Sequence, residues 1–123
     1  MTPIQASTSV VRDSTTQALQ SALRGLTARQ QVIADNVANV ETPGYLAKTV
    51  SFEDSLREAM QSGRPADMSV TEATSSAPTR MNGNNVNLDV EIASQVETNL
   101  RSQLAIRALN AKYAAIRTTL QVN

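Results

Sequence analysis

Large apolar residues recur at alternating intervals of three and four positions from residue 19 to residue 40. The series is Leu19, Leu23, Leu26, Ile33, Val37 and Val40, with Gln30 as one polar member. This spacing places one narrow apolar seam on a helix and is typical of a helix that packs against a partner helix. Asp13 or Ser14 can cap its start, and Asn39 tolerates left-handed backbone angles that can end it. The pattern predicts a first long helix.

Residues 88–123 predict a second long helix with apolar residues on two sides. One side carries Ile92, Val96, Leu100 and Leu104, continued by the alanines Ala108, Ala111 and Ala115. The other side carries Ile106, Leu109, Tyr113, Ile116 and Leu120. On a helical wheel the two sides are centred roughly 140° apart. We expect the second side to pack on the first helix and the first side, with Ala108 and Ala111, to contact neighbouring molecules.

A polar stop and a turn follow the first helix. Asn36 and Asn39 supply side-chain amides, and Thr42-Pro43-Gly44-Tyr45 follows directly. Pro43 fixes φ at the second position of a turn and Gly44 allows positive φ at the third, which predicts a type II turn. From the residues alone, an ordinary helix stop is the simpler interpretation. The alternative is a joint between the helix and the following segment, or between subunits.

The middle of the chain gives weaker signals. Val50 to Asp54 predicts the opening of a short helix capped by Ser51, with Phe52, Leu56 and Met60 on one face. Residues 61–87 are rich in Gly, Pro, Ser and Thr and predict a polar connector, either disordered or lying against a partner. Residues 1–12 predict a flexible segment.

Together these elements predict an all-α fold with one structural domain. Its two long terminal helices form a coiled-coil-like antiparallel pair, accompanied by a short third helix within residues 13–60 and a long irregular connector at 61–87. Gly25 lies off the seam, and it either allows close approach of a neighbour or is a tolerated helix glycine. A lone pair of helices would leave one apolar side in water, so we expect folding coupled to assembly.

The composition argues against most kinds of catalysis, metal binding and nucleic-acid binding. The 123 residues include no Cys and no His, which removes thiolate and imidazole catalysis and the usual zinc ligands. Eleven basic residues balance eleven acidic ones, and no basic block favours nucleic acid. The acid pairs Glu53/Asp54 and Asp89/Glu91 suit the first turns of helices. Arg101, Arg107 and Arg117 are interpreted as solvated charges, with a salt bridge between chains as the alternative. We expect no enzyme activity, cofactor or metal site.

Membrane insertion is not expected either. No stretch approaches the ~20 apolar residues of a membrane span. Residues 1–12 contain no apolar run of the signal-peptide type, so export would need another route.

The segment at residues 36–45 carries a family resemblance. It reads Asn-Val-Ala-Asn-Val-Glu-Thr-Pro-Gly-Tyr and resembles the Asn-x-Ala-Asn-x-x-Thr-Pro-Gly-Tyr/Phe signature of flagellar axial proteins of the rod and hook. Residues 48–56, 83–91 and 112–119 are similar to the proximal rod members of that family. Asn87 and Val90 depart from the family pattern, which often has Asp and a charged residue there.

The resemblance implies a structural subunit of the flagellar drive shaft. Such subunits assemble helically into a tubular rod that transmits torque and encloses the export channel, with their terminal helices in its inner layer. The implied partners are further copies, other rod proteins, the rod-base adaptor FliE and components of the export gate. The implied location is the rod in the periplasmic space, reached through the flagellar type III apparatus without a cleaved signal peptide. The alternatives are a sister rod protein with the same Thr-Pro-Gly-Tyr segment and a soluble helical adaptor or secretion chaperone.

Overall fold

Two long helices, joined by a segment that folds back on the first of them, make up the chain. The computed structural model describes residues 13–122. The elements are α1 (Ser14–Ala38), β1 (Lys48–Ser51), α2 (Glu53–Gln61), a 3₁₀ turn (Pro65–Asp67), β2 (Thr71–Thr74) and α3 (Leu88–Val122). The predicted all-α class is confirmed only in its coarser form: the described chain is mostly helical, but it also contains a two-stranded ribbon. The flexible segment predicted at 1–12 lies outside the described residues.

Helices α1 and α3 lie side by side, and the α3 residues that meet α1 follow in reverse order. Hydrogen bonds join Asn36 to Glu91 at 3.1 Å, Gln30 to Asn99 at 3.0 Å and Gln20 to Tyr113 at 3.1 Å. The two helices therefore run in opposite directions. Although α3 has 35 residues, no helix within residues 13–122 combines the length and apolar character needed to cross a membrane.

The start of α1 is capped as predicted. Asp13 Oδ1 accepts a hydrogen bond from the Thr16 backbone N–H at 2.7 Å. Its other oxygen, Oδ2, lies 2.7 Å from the Lys112 ammonium of α3. These two contacts, the Lys112 bond foremost, lower the pKa of Asp13 from 3.8 to about 2. The carboxylate thus fastens the beginning of α1 to the last third of α3.

The face of α3 that meets α1 is smaller and more polar than the predicted seam. Its buried positions include Glu91, Thr98 and Ala105, spaced by seven residues. Of the predicted seam, Leu26, Ile33 and Ile116 are buried and Leu19, Leu23, Leu109 and Tyr113 are half-buried. The remaining members, Val37, Ile106 and Leu120, are 40–48% exposed, so they are less buried than a packed seam predicts. A pattern of large apolar residues does not reveal small buried positions such as Thr98.

A second side of α1 is covered by the segment between the two helices. Ser21 Oγ donates to the Pro65 carbonyl at 2.8 Å, and Arg29 donates to the Val50 carbonyl at 2.8 Å. The main apolar cluster lies in this layer and consists of Leu26, Val32, Val50, Phe52, Ala59 and Met68. The core is therefore formed between α1 and the ribbon with α2, beside the contact of α1 with α3.

The prediction that Ser51 caps the short helix is wrong, because Ser51 ends a strand. Residues Lys48–Ser51 pair antiparallel with Thr71–Thr74, with Val50 opposite Glu72. Helix α2 begins only at Glu53, and Phe52 precedes it without a side-chain cap. Four-residue strands are too short for their alternation to stand out in a sequence.

Residues 61–87, predicted as a polar connector that is disordered or lies against a partner, are largely irregular but packed on the chain's own helices, and contact with a partner stays a prediction. This segment contains the 3₁₀ turn and β2, and its Met68 and Val86 are buried. A few buried side chains, spaced far apart, anchor it to the chain's own helices. Their separation hides them from a search for periodic apolar residues.

Gly25 allows the Phe52 ring to approach α1 closely. A methyl group at this position would lie 2.4–2.5 Å from ring carbons of Phe52. The Arg29 guanidinium lies over the same ring, 4.8 Å from its centroid, and approaches Glu53 at 2.6 Å. The hydrogen bond from Arg29 lowers the pKa of Glu53 from 4.5 to about 2. Of the two interpretations of Gly25, the structure supports close approach.

Replacing Gly25 with alanine should destabilise the chain despite alanine's better helix propensity. We expect G25A to lower the free energy of unfolding by about 1–3 kcal/mol, because the new methyl group displaces the Phe52 ring. Thermal unfolding followed by circular dichroism measures it. Thr27→Ala, at an exposed position of the same helix, is the control and should not lower the melting temperature. In an F52L background the cost of G25A should shrink, and equal costs in both backgrounds would contradict the contact.

Candidate functional site

The end of α1 is fixed by the side chain of Asn39. Asn39 Nδ2 donates to the Asp35 carbonyl at 2.8 Å, and its Oδ1 accepts from Thr42 Oγ1 at 3.1 Å. Asn39 ends the helix as predicted, but its φ of −106° is not left-handed. The end of α1 is therefore fixed by side-chain hydrogen bonds of Asn39, which hold the following residues against the last turn of the helix.

The turn at Thr42–Tyr45 has the features predicted for type II. The Tyr45 N–H donates to the Thr42 carbonyl at 3.2 Å, and Gly44 has φ +76°. The Gly44 N–H donates to the Asn82 carbonyl at 2.8 Å. A methyl group on Gly83, itself at φ +81°, would lie 3.3 Å from Gly44 Cα. The turn therefore packs directly against a second tight turn from the far part of the chain.

Asn36 connects three elements through one buried side chain. It is 1% exposed. Its Nδ2 donates to the Lys48 carbonyl at 2.8 Å and to Glu91 Oε1 at 3.1 Å. Its Oδ1 accepts from the Lys48 N–H at 3.0 Å and from the Tyr45 hydroxyl at 3.3 Å. The amide thus hydrogen-bonds the backbone of Lys48 in β1 as a neighbouring strand would. It also binds Glu91 in the first turn of α3.

Asn84 performs a similar task for the turn. It is 0% exposed, and its Nδ2 donates to the Asn39 and Thr42 carbonyls, both at 2.8 Å. Its Oδ1 accepts from the Val86 N–H at 2.7 Å and from Arg80 Nη2 at 2.9 Å. All four hydrogen-bonding capacities of the amide are satisfied. Asn84 therefore ties the end of α1 and the turn to the approach to α3.

Two neighbours of Asn84 complete this network. The Arg80 guanidinium donates to the Val40 and Val86 carbonyls, both at 2.7 Å. Asn85 Oδ1 accepts from the Ala47 N–H at 2.6 Å, and its Nδ2 donates to the Ser75 and Ala77 carbonyls at 3.2 and 3.1 Å. We call this network the joint. Its members are Asn36, Asn39, Thr42, Pro43, Gly44, Tyr45, Arg80, Asn84, Asn85 and Glu91.

Glu91 is the acidic member of the joint. It lies in the first turn of α3, as predicted, yet its side chain is buried against Asn36. Burial raises the pKa of Glu91 above 4.5, and the Asn36 hydrogen bond opposes that shift. The first turn itself is capped by Asn87, whose Oδ1 accepts from the Asp89 N–H at 3.0 Å. Interaction with the helix dipole therefore explains why Asp89 lies in the first turn of α3, but it does not explain why Glu91 is buried.

The geometry of the joint suits a mechanical role. A groove of about 360 Å³ beside it is lined by residues of α1, β1 and α3 and by Glu53 at the start of α2. Arg29 and Arg101 also line it, and both pair with Glu53, at 2.6 Å and 3.4 Å. Within residues 13–122, no group of three or more His, Cys, Asp or Glu side chains could hold a metal ion. The amides of the joint fix the angle between the helices and the ribbon.

The predicted neighbour-contact residues lie on the surface of α3. Ile92, Val96, Leu100 and Leu104 are 55–64% exposed, and Ala108 and Ala111 are exposed as well. Their contact with neighbouring molecules stays a prediction.

Sequence reasoning missed four members of the joint: Arg80, Asn84 and Asn85, together with Glu91, which was interpreted only as a residue that suits a helix dipole. Their partners lie far away in the chain; Asn84, for example, bonds backbone groups 42 and 45 residues earlier. The available signal was the Asn-rich run that begins at Asn82, because asparagine side chains often satisfy backbone groups in turns.

Comparisons with known proteins give a consistent result. Residues 17–45 match the family model described as flagella basal body rod protein. The FlgB rod protein of Bacillus subtilis is 34% identical over 119 residues, covering 86% of this chain and 92% of that protein. The FlgB protein of Escherichia coli is 30% identical over 123 residues, covering 83% and 89%. That of Borrelia hermsii is 30% identical over 97 residues, covering 61% and 72%.

Removing the Asn84 amide should destabilise the joint strongly. We expect N84A to lower the free energy of unfolding by about 2–4 kcal/mol, because buried carbonyls and an N–H lose their partners. Chemical denaturation of the purified chain measures the loss. Asn110→Ala, on the exposed surface of α3, is the matched control and should change stability by less than about 0.5 kcal/mol. Equal effects of the two substitutions would show that the joint contributes little.

The buried carboxyl of Glu91 should make stability depend on pH. Because its pKa is raised in the folded chain, ionisation opposes folding, and this penalty disappears as the pH falls towards and below 4.5. The unfolding free energy of the wild type should therefore rise relative to that of E91Q as the pH is lowered from about 7. Glu53 and Asp13 titrate in both proteins and cancel in the difference. A constant difference across this range would contradict the effect.

Proposed function

Because the chain belongs to the FlgB family of flagellar basal body rod proteins, we propose that it assembles helically into a tube that transmits torque and encloses the export channel. It is a structural subunit of the bacterial flagellar basal body rod. The observation that carries this function is similarity across most of the chain, 34% over 86% of its length in one relative. This similarity favours an FlgB-type rod subunit over the two alternatives, which are the sister rod protein FlgC and a helical adaptor or secretion chaperone.

The fold supports the mechanical part of the proposal. Helix α3 alone has 35 residues, which corresponds to about 52 Å. Helix α1 runs along it in the opposite direction, and the joint fixes where the pair begins. We propose that the two helices pack in a coiled-coil-like way in the rod. A stiff pair of helices with a fixed end can pass a twisting load to its neighbours without bending at the turn.

The exposed apolar side of α3 supports the assembly part. Four large side chains, Ile92, Val96, Leu100 and Leu104, stand more than half exposed along one side. A surface of this kind is typical of a protein contact. A contact between two different surfaces, repeated from one subunit to the next, builds an open helical array. We assign the neighbour contacts of the rod to this side, together with Ala108 and Ala111.

Family membership also supports the partners and the location. The proposed partners are further copies of the chain, other rod proteins, the adaptor FliE and components of the export gate. The proposed location is the rod within the periplasmic space, reached through the flagellar type III apparatus without a cleaved signal peptide. We propose no catalytic role, because the polar groups of the joint are used to hold backbone.

Deletion of the gene in the source bacterium should abolish swimming and the growth of hooks and filaments. A plasmid copy of the wild-type chain should restore both. Val96→Lys and Leu100→Lys should fold, because these side chains are exposed, yet should fail to restore motility, since each places a charge in the subunit contact. Electron microscopy of isolated basal bodies and a motility assay give the readout.

Thr27→Lys, an exposed change on α1, is the matched control and should restore swimming. Normal rods in the deletion strain would refute the proposed function. Full complementation by V96K and L100K would refute only the assignment of the contact to this side of α3.

A further inference from the structure

Helix α3 carries two exposed apolar patches that point in different directions. The first patch is Ile92, Val96, Leu100 and Leu104, on the side of α3 opposite the buried Thr98 and Ala105. The second patch is formed by Ile106 and Leu120, about half exposed, with Tyr113, which is half-buried, between them. At about 100° per residue the two patches are centred roughly 120° apart. Within residues 13–122 no other element covers the first patch.

The charges of α3 are divided between its N-terminal half, which carries the first patch, and its C-terminal half, which carries the second patch. Its acidic residues, Asp89, Glu91 and Glu97, all precede Thr98. Its basic residues, Arg101, Arg107, Lys112 and Arg117, all follow Leu100. The helix dipole favours such a division only within the first and last turns. Glu97 and Arg107 lie well inside the helix, so the dipole does not account for the division along its whole length.

Several of these charges form no ion pair within residues 13–122. Lys112 is paired with Asp13, and Arg101 is paired with Glu53 and Glu97. Arg117, which stands beside the second patch, is exposed and forms no ion pair among the described residues. Asp89, on the first patch side, is exposed and likewise has no described ion pair. An apolar patch near an unpaired acid and an apolar patch near an unpaired base are complementary surfaces.

We propose that the first patch of one copy packs against the second patch of a second copy, with Arg117 of one near Asp89 of the other. This contact rests on the proposed function and names the surfaces that it uses. The two patches differ in direction by about 120°, so the contact does not close into a face-to-face pair. A pair of copies therefore keeps one second patch free on one copy and one first patch free on the other, so further copies can be added around and along a tube.

Because the sequence contains no cysteine, introduced cysteines can be cross-linked to map this contact without background from native thiols. Leu100→Cys probes the first patch, and Ile106→Cys and Leu120→Cys probe the two ends of the second. Each variant is expressed alone, and L100C is also combined in one chain with I106C or with L120C. Cells that complement the deletion strain are treated with a short bis-maleimide cross-linker. Immunoblots of isolated basal bodies then report covalent dimers and larger species.

The expected result is at least a tenfold higher yield of cross-linked species from a combined variant than from any single one. Leu100 and Leu120 are about 30 Å apart along one helix, so a link between them joins two copies. Cross-linking by L100C alone would show that two first patches face each other, and it would overturn the proposal. No cross-linking by either combined variant in motile cells would overturn it too. Val96→Cys replaces L100C if that variant fails to complement, and the same outcomes then apply.

These results are separable from those that test the proposed function. If the deletion strain still builds rods, the function itself is wrong. If rods need the chain but the combined variants give no cross-link, the function stands and the pairing of the two patches is wrong.

Discussion

The arrangement of the chain depends on one buried amide at the end of its first helix. Asn36 uses both of its donors and its oxygen to hold Lys48 of the ribbon, Tyr45 of the turn and Glu91 of α3. An apolar side chain could not replace it without loss, because the backbone N–H and carbonyl of Lys48 and the buried Glu91 would lose these hydrogen bonds. A buried polar network with all its members satisfied favours a single arrangement over its alternatives. The angle between α1, the ribbon and α3 follows from this requirement.

Much of the fold could be predicted because the signals for long helices are local. The cap at Asp13, the stop at Asn39, the turn through Gly44 and the start of α3 after Asn87 each depend on residues within four positions of one another. Local chemistry of this kind is legible in a sequence. The turn motif therefore led directly to one half of the joint.

The rest of the fold depends on contacts between distant parts of the chain. The ribbon pairs residues more than 20 positions apart, as Val50 with Glu72, and its strands are too short to show a period. Asn84 reaches back over 40 positions to the turn. Helix packing also uses small residues, Gly25 and Thr98 among them, whose importance is seen only when a ring or another helix lies against them. Tertiary context, and not local preference, determines these positions.

Four members of the joint, Asn36, Asn39, Asn84 and Asn85, are neutral amides bonded to backbone groups. Interactions between exposed ions weaken as dissolved salt shields them, over a Debye length of about 8 Å at physiological ionic strength. Buried amide contacts such as those of Asn36 and Asn84 are largely outside the reach of that shielding. A shaft held in shape by surface ion pairs would soften in concentrated surroundings and stiffen in dilute ones. A subunit whose bend is set by buried amides keeps the same angle as the ionic strength around the cell rises or falls.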